Sequence, residues 1–168
     1  KNKYKNCVNL LASGSILNEA IAASKILKDD WKIDSNLWSV TSFSEIRRDA
    51  EDVERWNNLN PLSTPKKSHI GNCLNLKTPV IAVSDYVKLV AEQIGPYISS
   101  SFTALGTDGF GRSDTRENLR DFFEINRYYI TLAAINSLIK EGKLKKEVLS
   151  KAIKQYGIDP NKINPLKK

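Results

Sequence analysis

The chain has 168 residues, of which 40% are hydrophobic and 27% are charged, and its formal net charge is +7. It has no apolar run near the roughly 20 residues of a membrane-spanning helix, and its N-terminus has no signal-peptide pattern. These features argue against a membrane protein or a secreted precursor and favour one soluble, cytoplasmic domain over residues 1–168. Because the chain starts at Lys1 and contains no methionine, we expect it to be a fragment of a longer protein.

The basic residues are mostly lysines, scattered along the chain and gathered near its two ends. They lack the interleaved arginine and aromatic residues that are typical of nucleic-acid recognition. We therefore expect a solvated basic surface, with neither nucleic acid nor membrane as a partner.

The first half of the chain has two strands, each followed by a helix. Residues 8–12 form a continuous apolar run that predicts a buried strand, and helical spacing follows it. The apolar face of this first helix comprises Ile16, Ala20, Ala23 and Leu27. Residues 36–40 predict a second strand, with a helix from about Ser44. Its apolar stripe comprises Ile46, Ala50, Val53 and Trp56, and its solvated face has the pairs Arg47–Glu51 and Arg48–Asp52.

The strand and helix pattern repeats after a loop that contains Pro61 and Pro65. Residues 79–83 predict a third buried strand, and Ser84 or Asp85 is expected to cap the next helix. The residues expected to face inward from that helix are Tyr86, Val87, Leu89, Val90 and Ile94. Gly95 and Pro96 end it, and residues 101–105 predict a fourth strand.

Three more helices are predicted after the fourth strand. The first starts at about Asp114, the second is a buried helix over residues 126–140, and the third covers residues 146–156 and ends at Gly157. The residues expected to bury the second of these are Tyr128, Ile130, Leu132, Ile135, Leu138 and Ile139. Residues 158–168 are expected to form an irregular tail.

Alternating strands and helices predict a doubly wound α/β fold, because each return to a parallel neighbour needs a crossover. The two cysteines, Cys7 and Cys73, have no metal-ligand spacing, and we expect them to be reduced and buried rather than bridged.

Ligands bind at the carboxyl ends of the strands in such a sheet. Ser13, Gly14 and Ser15 follow the first strand, but they lack the spaced glycines and the lysine of a phosphate-binding loop. We expect them to form a plain helix start.

His69 is the only histidine, and it is expected in a polar loop with no catalytic partner nearby. A triad or a two-histidine metal site is therefore excluded within this chain, and a substrate contact is a low-ranked alternative. The carboxylates of Asp49 and Asp52 are expected on an exposed helix face rather than in an acid–base pair.

Residues 106–119 read GTDGFGRSDTRENL, a glycine-rich loop that leads into a helix. Gly106, Gly109 and Gly111 could cradle a phosphate or form a tight turn. The carboxylates of Asp108 and Asp114 would repel a phosphate, so the sequence favours a turn.

Two interactions are expected to hold this turn. The first is a capping box in which Asp114 and Glu117 bond to each other's backbone amides. The second is Arg112, expected between Asp108 and Asp114 as their counter-charge. This arrangement would place Phe110 against the neighbouring strand end or against a partner domain.

Four segments, residues 10–17 (LLASGSIL), 39–57 (SVTSFSEIRRDAEDVERWN), 79–94 (PVIAVSDYVKLVAEQI) and 105–125 (LGTDGFGRSDTRENLRDFFEI), resemble one protein family. The family is the C-terminal domain of homodimeric, bacterial-type pyruvate dehydrogenases, which are transketolase-like. The resemblance covers about residues 6–164, and the last segment is the most specific.

The resemblance implies a three-layer α/β/α fold with a mostly parallel sheet, in which a fifth, antiparallel strand would precede Asn6. It implies that the full-length enzyme decarboxylates pyruvate with thiamine diphosphate and magnesium and reductively acetylates a lipoyl group. The implied partners are the upstream domains, a second copy of the chain and the lipoyl-bearing acetyltransferase component.

The chain lacks the residues that would carry this chemistry. It has no Gly-Asp-Gly followed by paired asparagines for the diphosphate and metal, and no cluster of histidines for the substrate. The resemblance therefore assigns no catalytic, cofactor-binding or metal residue to this chain, and we expect the fragment alone to be inactive. A free-standing Rossmann-like domain that binds a nucleotide or nucleic acid, and a dimerisation module, remain alternatives.

Overall fold

The computed structural model describes residues 5–167. Its centre is a sheet of four parallel strands, in the order β2-β1-β3-β4. The strands are β1 (Cys7–Ser13), β2 (Asp34–Ser39), β3 (Val80–Ser84) and β4 (Phe102–Leu105). In the middle of the sheet, Leu10 lies beside Leu37 on one side and Ile81 on the other.

Seven helices surround the sheet within the described part of the chain. They are α1 (Leu17–Trp31), α2 (Phe43–Leu59), α3 (His69–Cys73), α4 (Leu89–Glu92), α5 (Arg116–Phe122), α6 (Arg127–Lys140) and α7 (Lys146–Gln155). Short 3-10 turns cover Gly14–Ile16, Gly95–Tyr97 and Pro165–Lys167, the last of them within the expected tail.

One face of the sheet packs against α1, α6 and α7. Val8, Leu10 and Ala12 of β1 point to this face, and Ile130, Ile135 and Leu138 of α6 meet them in a fully buried core. The indole of Trp31 donates a hydrogen bond of 2.6 Å to the Tyr156 hydroxyl, which ties α1 to the end of α7.

The opposite face packs against α2, α3 and α4. Its core contains Leu11 of β1, Val80 and Ala82 of β3, Phe43 of α2 and Ile70 of α3. Alternate residues of β1 thus enter different cores, as the two-residue repeat of a strand requires. The predicted three-layer α/β/α fold with a mostly parallel sheet is confirmed. The fifth strand implied by the resemblance would fall upstream of the described residues.

The prediction of a helix directly after β3 is largely wrong. Ser84 does not cap a helix, because its hydroxyl accepts from the Tyr86 amide in a local turn, and α4 has only four residues. Tyr86, Val87 and Leu89 are 70%, 51% and 69% exposed, although an inward orientation was predicted.

Two smaller expectations about burial are also wrong. Cys7 and Cys73 are unbridged, but Cys73 is exposed and Cys7 only half-buried. Tyr128 of α6 is 39% exposed, and its ring lies at the surface beside that of Tyr156. None of the helices within residues 5–167 combines the length and apolarity needed to cross a lipid bilayer.

Candidate functional site

The turns after β1 and β3 meet at the carboxyl edge of the sheet, where the chain leaves these strands toward opposite faces. Open α/β sheets bind their ligands at this point. The Ser15 hydroxyl donates a hydrogen bond of 2.7 Å to the Asp85 carboxylate across this gap. The two turns are therefore linked directly.

Arg120 of α5 reaches the same two turns. Its guanidinium donates to the Ser15 hydroxyl at 3.0 Å and to Glu19 at 3.3 Å, and it lies 3.8 Å from Asp85. Arg120 is only 9% exposed. Its Nε is buried without a hydrogen-bond partner among residues 5–167. A side chain of this chain thus occupies the position where an α/β protein would hold a ligand.

Glu19 at the start of α1 is the acidic centre of this cluster. Its carboxylate accepts two hydrogen bonds, of 2.9 and 3.0 Å, from the Arg127 guanidinium and one of 2.9 Å from the Arg127 backbone amide. The hydrogen bonds from the Arg127 side chain hold the pKa of Glu19 below its usual value. Burial of the carboxylate acts in the opposite direction, but its effect is smaller. The cluster ties α1 to α5 and to the start of α6.

The sequence analysis did not identify Glu19, Arg120 or Arg127. For Glu19, however, the sequence contains an indication of burial. Glu19 lies three residues after Ile16 and four before Ala23, so it shares the buried face of α1. A carboxylate on an apolar helix face requires a cationic partner.

The glycine-rich loop after β4 is joined to the turn after β3. A Cβ atom on Gly106 would lie 2.5 Å from the backbone of Lys88, so only glycine allows this approach. The Thr107 amide donates to the Tyr86 carbonyl at 2.9 Å, and the Lys88 amide donates to Asp108 at 2.8 Å. Gly109 has φ of +112°, which a side chain would strain.

The predicted capping box is wrong by one residue. Helix α5 is capped by Thr115, whose hydroxyl accepts from the Asn118 amide at 3.3 Å. Asp114 instead accepts from the Thr115 amide and from the Asn118 side chain, contacts that lower the Asp114 pKa, with Asn118 as the larger cause. Glu117 lies in the first turn without the expected reciprocal bond. Thr115 takes the cap because its backbone is extended, with ψ of 152°.

The predicted role of Arg112 is also wrong. Its guanidinium lies 4.0 Å from the centre of the Phe122 ring rather than between Asp108 and Asp114. Both carboxylates already accept hydrogen bonds from other groups. Phe110 does not pack on the neighbouring strand end and is 82% exposed.

His69 begins α3 rather than lying in a loop, and it borders a groove of about 490 Å³ between α2 and α3. Its backbone amide donates to Asp49, and its Nε2 lies 3.5 Å from the Cys73 sulfur. Within residues 5–167, no three His, Cys, Asp or Glu side chains come together in an arrangement that could hold a metal ion.

Comparison with known proteins gives a consistent result. Residues 1–126 match the family described as transketolase-like TK C-terminal domain. The chain is 51% identical over 160 residues to the pyruvate dehydrogenase E1 component of Cupriavidus necator, covering 95% of this chain and 18% of that protein. It is 47% identical over 162 residues to the pyruvate dehydrogenase E1 component of Escherichia coli strain K12, covering 96% and 18%.

A solved structure supports the fold alone. It is titled split gene transketolase, inactive beta4 tetramer, and it matches with a TM-score of 0.54 at 16% identity. The match covers 82% of this chain and 41% of that one.

Proposed function

Because the chain belongs to the family of transketolase-like C-terminal domains, we propose that it serves as the C-terminal domain of a pyruvate dehydrogenase E1 component. The identity to such proteins over nearly the whole chain supports this. The chain spans about a fifth of the length of the curated relatives it matches, so the proposed activity is that of the longer protein.

The proposed activity is decarboxylation of pyruvate with thiamine diphosphate, followed by reductive acetylation of a lipoyl group on an acetyltransferase component. Magnesium, a homodimeric state and a cytoplasmic location belong to the same proposal. Thiamine diphosphate would supply the carbanion that attacks pyruvate.

The described residues do not fit this cofactor or its metal. The Asp85 carboxylate at the sheet edge is bonded to Ser15, and Glu19 is bonded to two arginines. We therefore derive no catalytic step within residues 5–167 and propose that other parts of the protein hold the cofactor.

The role we propose for this domain is structural support of the enzyme. The observation that carries it is Arg120, whose guanidinium is bound at the edge where an α/β domain would hold a ligand. Ser15, Glu19 and Asp85 all bond to or pair with this arginine.

The test compares the full-length protein with the 168-residue chain. Each is purified and given pyruvate, thiamine diphosphate, magnesium and a dye acceptor, and dye reduction is followed. We expect turnover from the full-length protein only, and acetylation of an added lipoyl domain by it. Inactive full-length protein would refute the assignment to pyruvate dehydrogenase, and turnover by the chain alone would refute the structural role.

A further inference from the structure

Several large apolar side chains are exposed at the carboxyl edge of the sheet. Tyr86, Val87 and Leu89 follow β3, and Phe110 lies in the loop after β4, with exposures from 51% to 82%. Large exposed apolar patches on a soluble protein are commonly interaction sites. We call these four residues, together with Arg112 and Arg116, the carboxyl-edge surface.

The two loops that carry this surface are held together. The Thr107 amide bonds to the Tyr86 carbonyl, the Thr107 hydroxyl bonds to the Asp85 carbonyl at 3.0 Å, and the Lys88 amide bonds to Asp108. The close approach of Gly106 to Lys88 adds a steric constraint. The apolar side chains are thus presented on a backbone that needs little ordering on binding, which lowers the entropic cost of association.

Two guanidinium groups lie near Phe110. Arg112 and Arg116 are exposed and line the same cavity as Phe110. Neither forms an ion pair with another group in the part of the chain that the structure describes. Exposed aromatic residues beside arginines without ion pairs are typical of a protein interface, where arginine and aromatic residues are enriched.

We propose that the carboxyl-edge surface docks this domain onto the upstream part of its own protein. That part presents an apolar patch to Phe110, Tyr86, Val87 and Leu89 and carboxylates to Arg112 and Arg116. This inference rests on the proposed function, because the matched relatives are about five times longer than this chain. The upstream part is always present at high effective concentration, which favours it over a separate partner.

The first experiment measures amide hydrogen exchange in the full-length protein and in the 168-residue chain. Residues 86–89 and 107–112 are expected to exchange about tenfold more slowly in the full-length protein. The matched control is residues 59–63, because Leu59 and Leu62 are also exposed, at 64% and 101%, but lie at the end of α2 and in the loop that follows it. Equal exchange at the carboxyl-edge surface in the two proteins would overturn the proposal.

The second experiment changes the surface itself. Phe110→Ser with Leu89→Ser should leave the melting temperature of the 168-residue chain unchanged, because both side chains are exposed. In the full-length protein the same pair should abolish the added protection of residues 86–89. Leu59→Ser with Leu62→Ser serves as the control. This pair should leave the added protection of residues 86–89 unchanged.

Two outcomes separate this inference from the proposed function. Full-length protein that is active on pyruvate but unprotected at residues 86–89 would overturn the docking surface alone. Protection of residues 86–89 and 107–112 in the isolated chain that rises with its concentration would show a second copy as the occupant of this surface, and that also overturns the proposal.

Discussion

Glu19 is the residue on which the contacts between α1, α5 and α6 converge. Glu19 is 7% exposed, and its carboxylate bonds to Arg120 and Arg127. These partners lie 101 and 108 residues away. Such a pairing cannot be derived from local periodicity, although the placement of Glu19 on a buried face indicates that a partner is needed.

Glu19→Gln is expected to lower the free energy of unfolding by about 3 kcal/mol at neutral pH, because it removes the nearer of the two carboxylates that face buried Arg120 and the carboxylate that Arg127 binds. The folded-state pKa of Glu19 lies below its ordinary value of 4.5. The stabilisation by Glu19 is therefore complete above the unfolded pKa and is lost as the pH falls through the lower folded pKa. Urea unfolding at pH 7 and at about pH 3 measures both effects.

The difference between the wild-type chain and Glu19→Gln should shrink at the lower pH, since the glutamine does not titrate. Glu45→Gln is the matched control, because Glu45 pairs with Arg48 on the exposed face of α2. It should cost less than about 1 kcal/mol. A Glu19→Gln penalty that stays constant with pH would contradict this account.

Thr115 is the N-cap of α5, and its hydroxyl makes the capping hydrogen bond. Thr115→Ala should destabilise the chain by about 1 kcal/mol, because the Asn118 amide loses its partner. Thermal unfolding measures the change, with Thr64→Ala in the exposed loop before α3 as the control. If Asp114→Ala were costlier than Thr115→Ala, the assignment of the cap would be wrong.

At the level of elements, the buried strands could be predicted most closely. Observed β1 extends the predicted run by one residue at each end, and β3 is shifted by one. Central parallel strands are apolar on both faces, which makes their runs continuous. The edge strand β2 is shifted by up to two residues, because its mixed burial gives a weaker pattern.

The failure at α4 has a tertiary cause. Residues 86–90 have an apolar pattern compatible with a helix, but the Lys88 amide is taken by Asp108 and the Tyr86 carbonyl by Thr107. A helix over these residues would need the same backbone groups for its own bonds. The loop after β4 therefore decides the structure of the turn after β3, which a reading of either segment alone cannot reveal.

For the candidate site, too, only one part could be predicted from the sequence. The place of the site follows from the strand pattern, since the carboxyl edge of a doubly wound sheet is known in advance. Its contents do not, because Ser15, Asp85 and Arg120 meet only in the folded chain. The cap of α5 was predicted to within one residue, because a cap and its helix are neighbours in sequence.

At the scale of the whole molecule, the sheet has two different ends within residues 5–167. Strand β2 pairs only with β1, and β4 pairs only with β3. Unpaired backbone groups on an edge strand are templates for pairing with another chain. The sequence resemblance implies a further antiparallel strand upstream, which would cover one of these edges.

We therefore predict that the 168-residue chain self-associates more readily than a protein extended upstream by the strand that the resemblance implies. Light scattering at matched concentrations should give a larger and broader particle size for the shorter chain. If the β2 edge is responsible, Leu37→Lys should suppress the association, because Leu37 is 38% exposed at the middle of β2 and a lysine on an edge strand opposes pairing. Leu62→Lys, in the loop after α2, should leave the association unchanged. Equal particle sizes for the shorter and the extended protein would show that neither edge of the sheet needs an upstream strand.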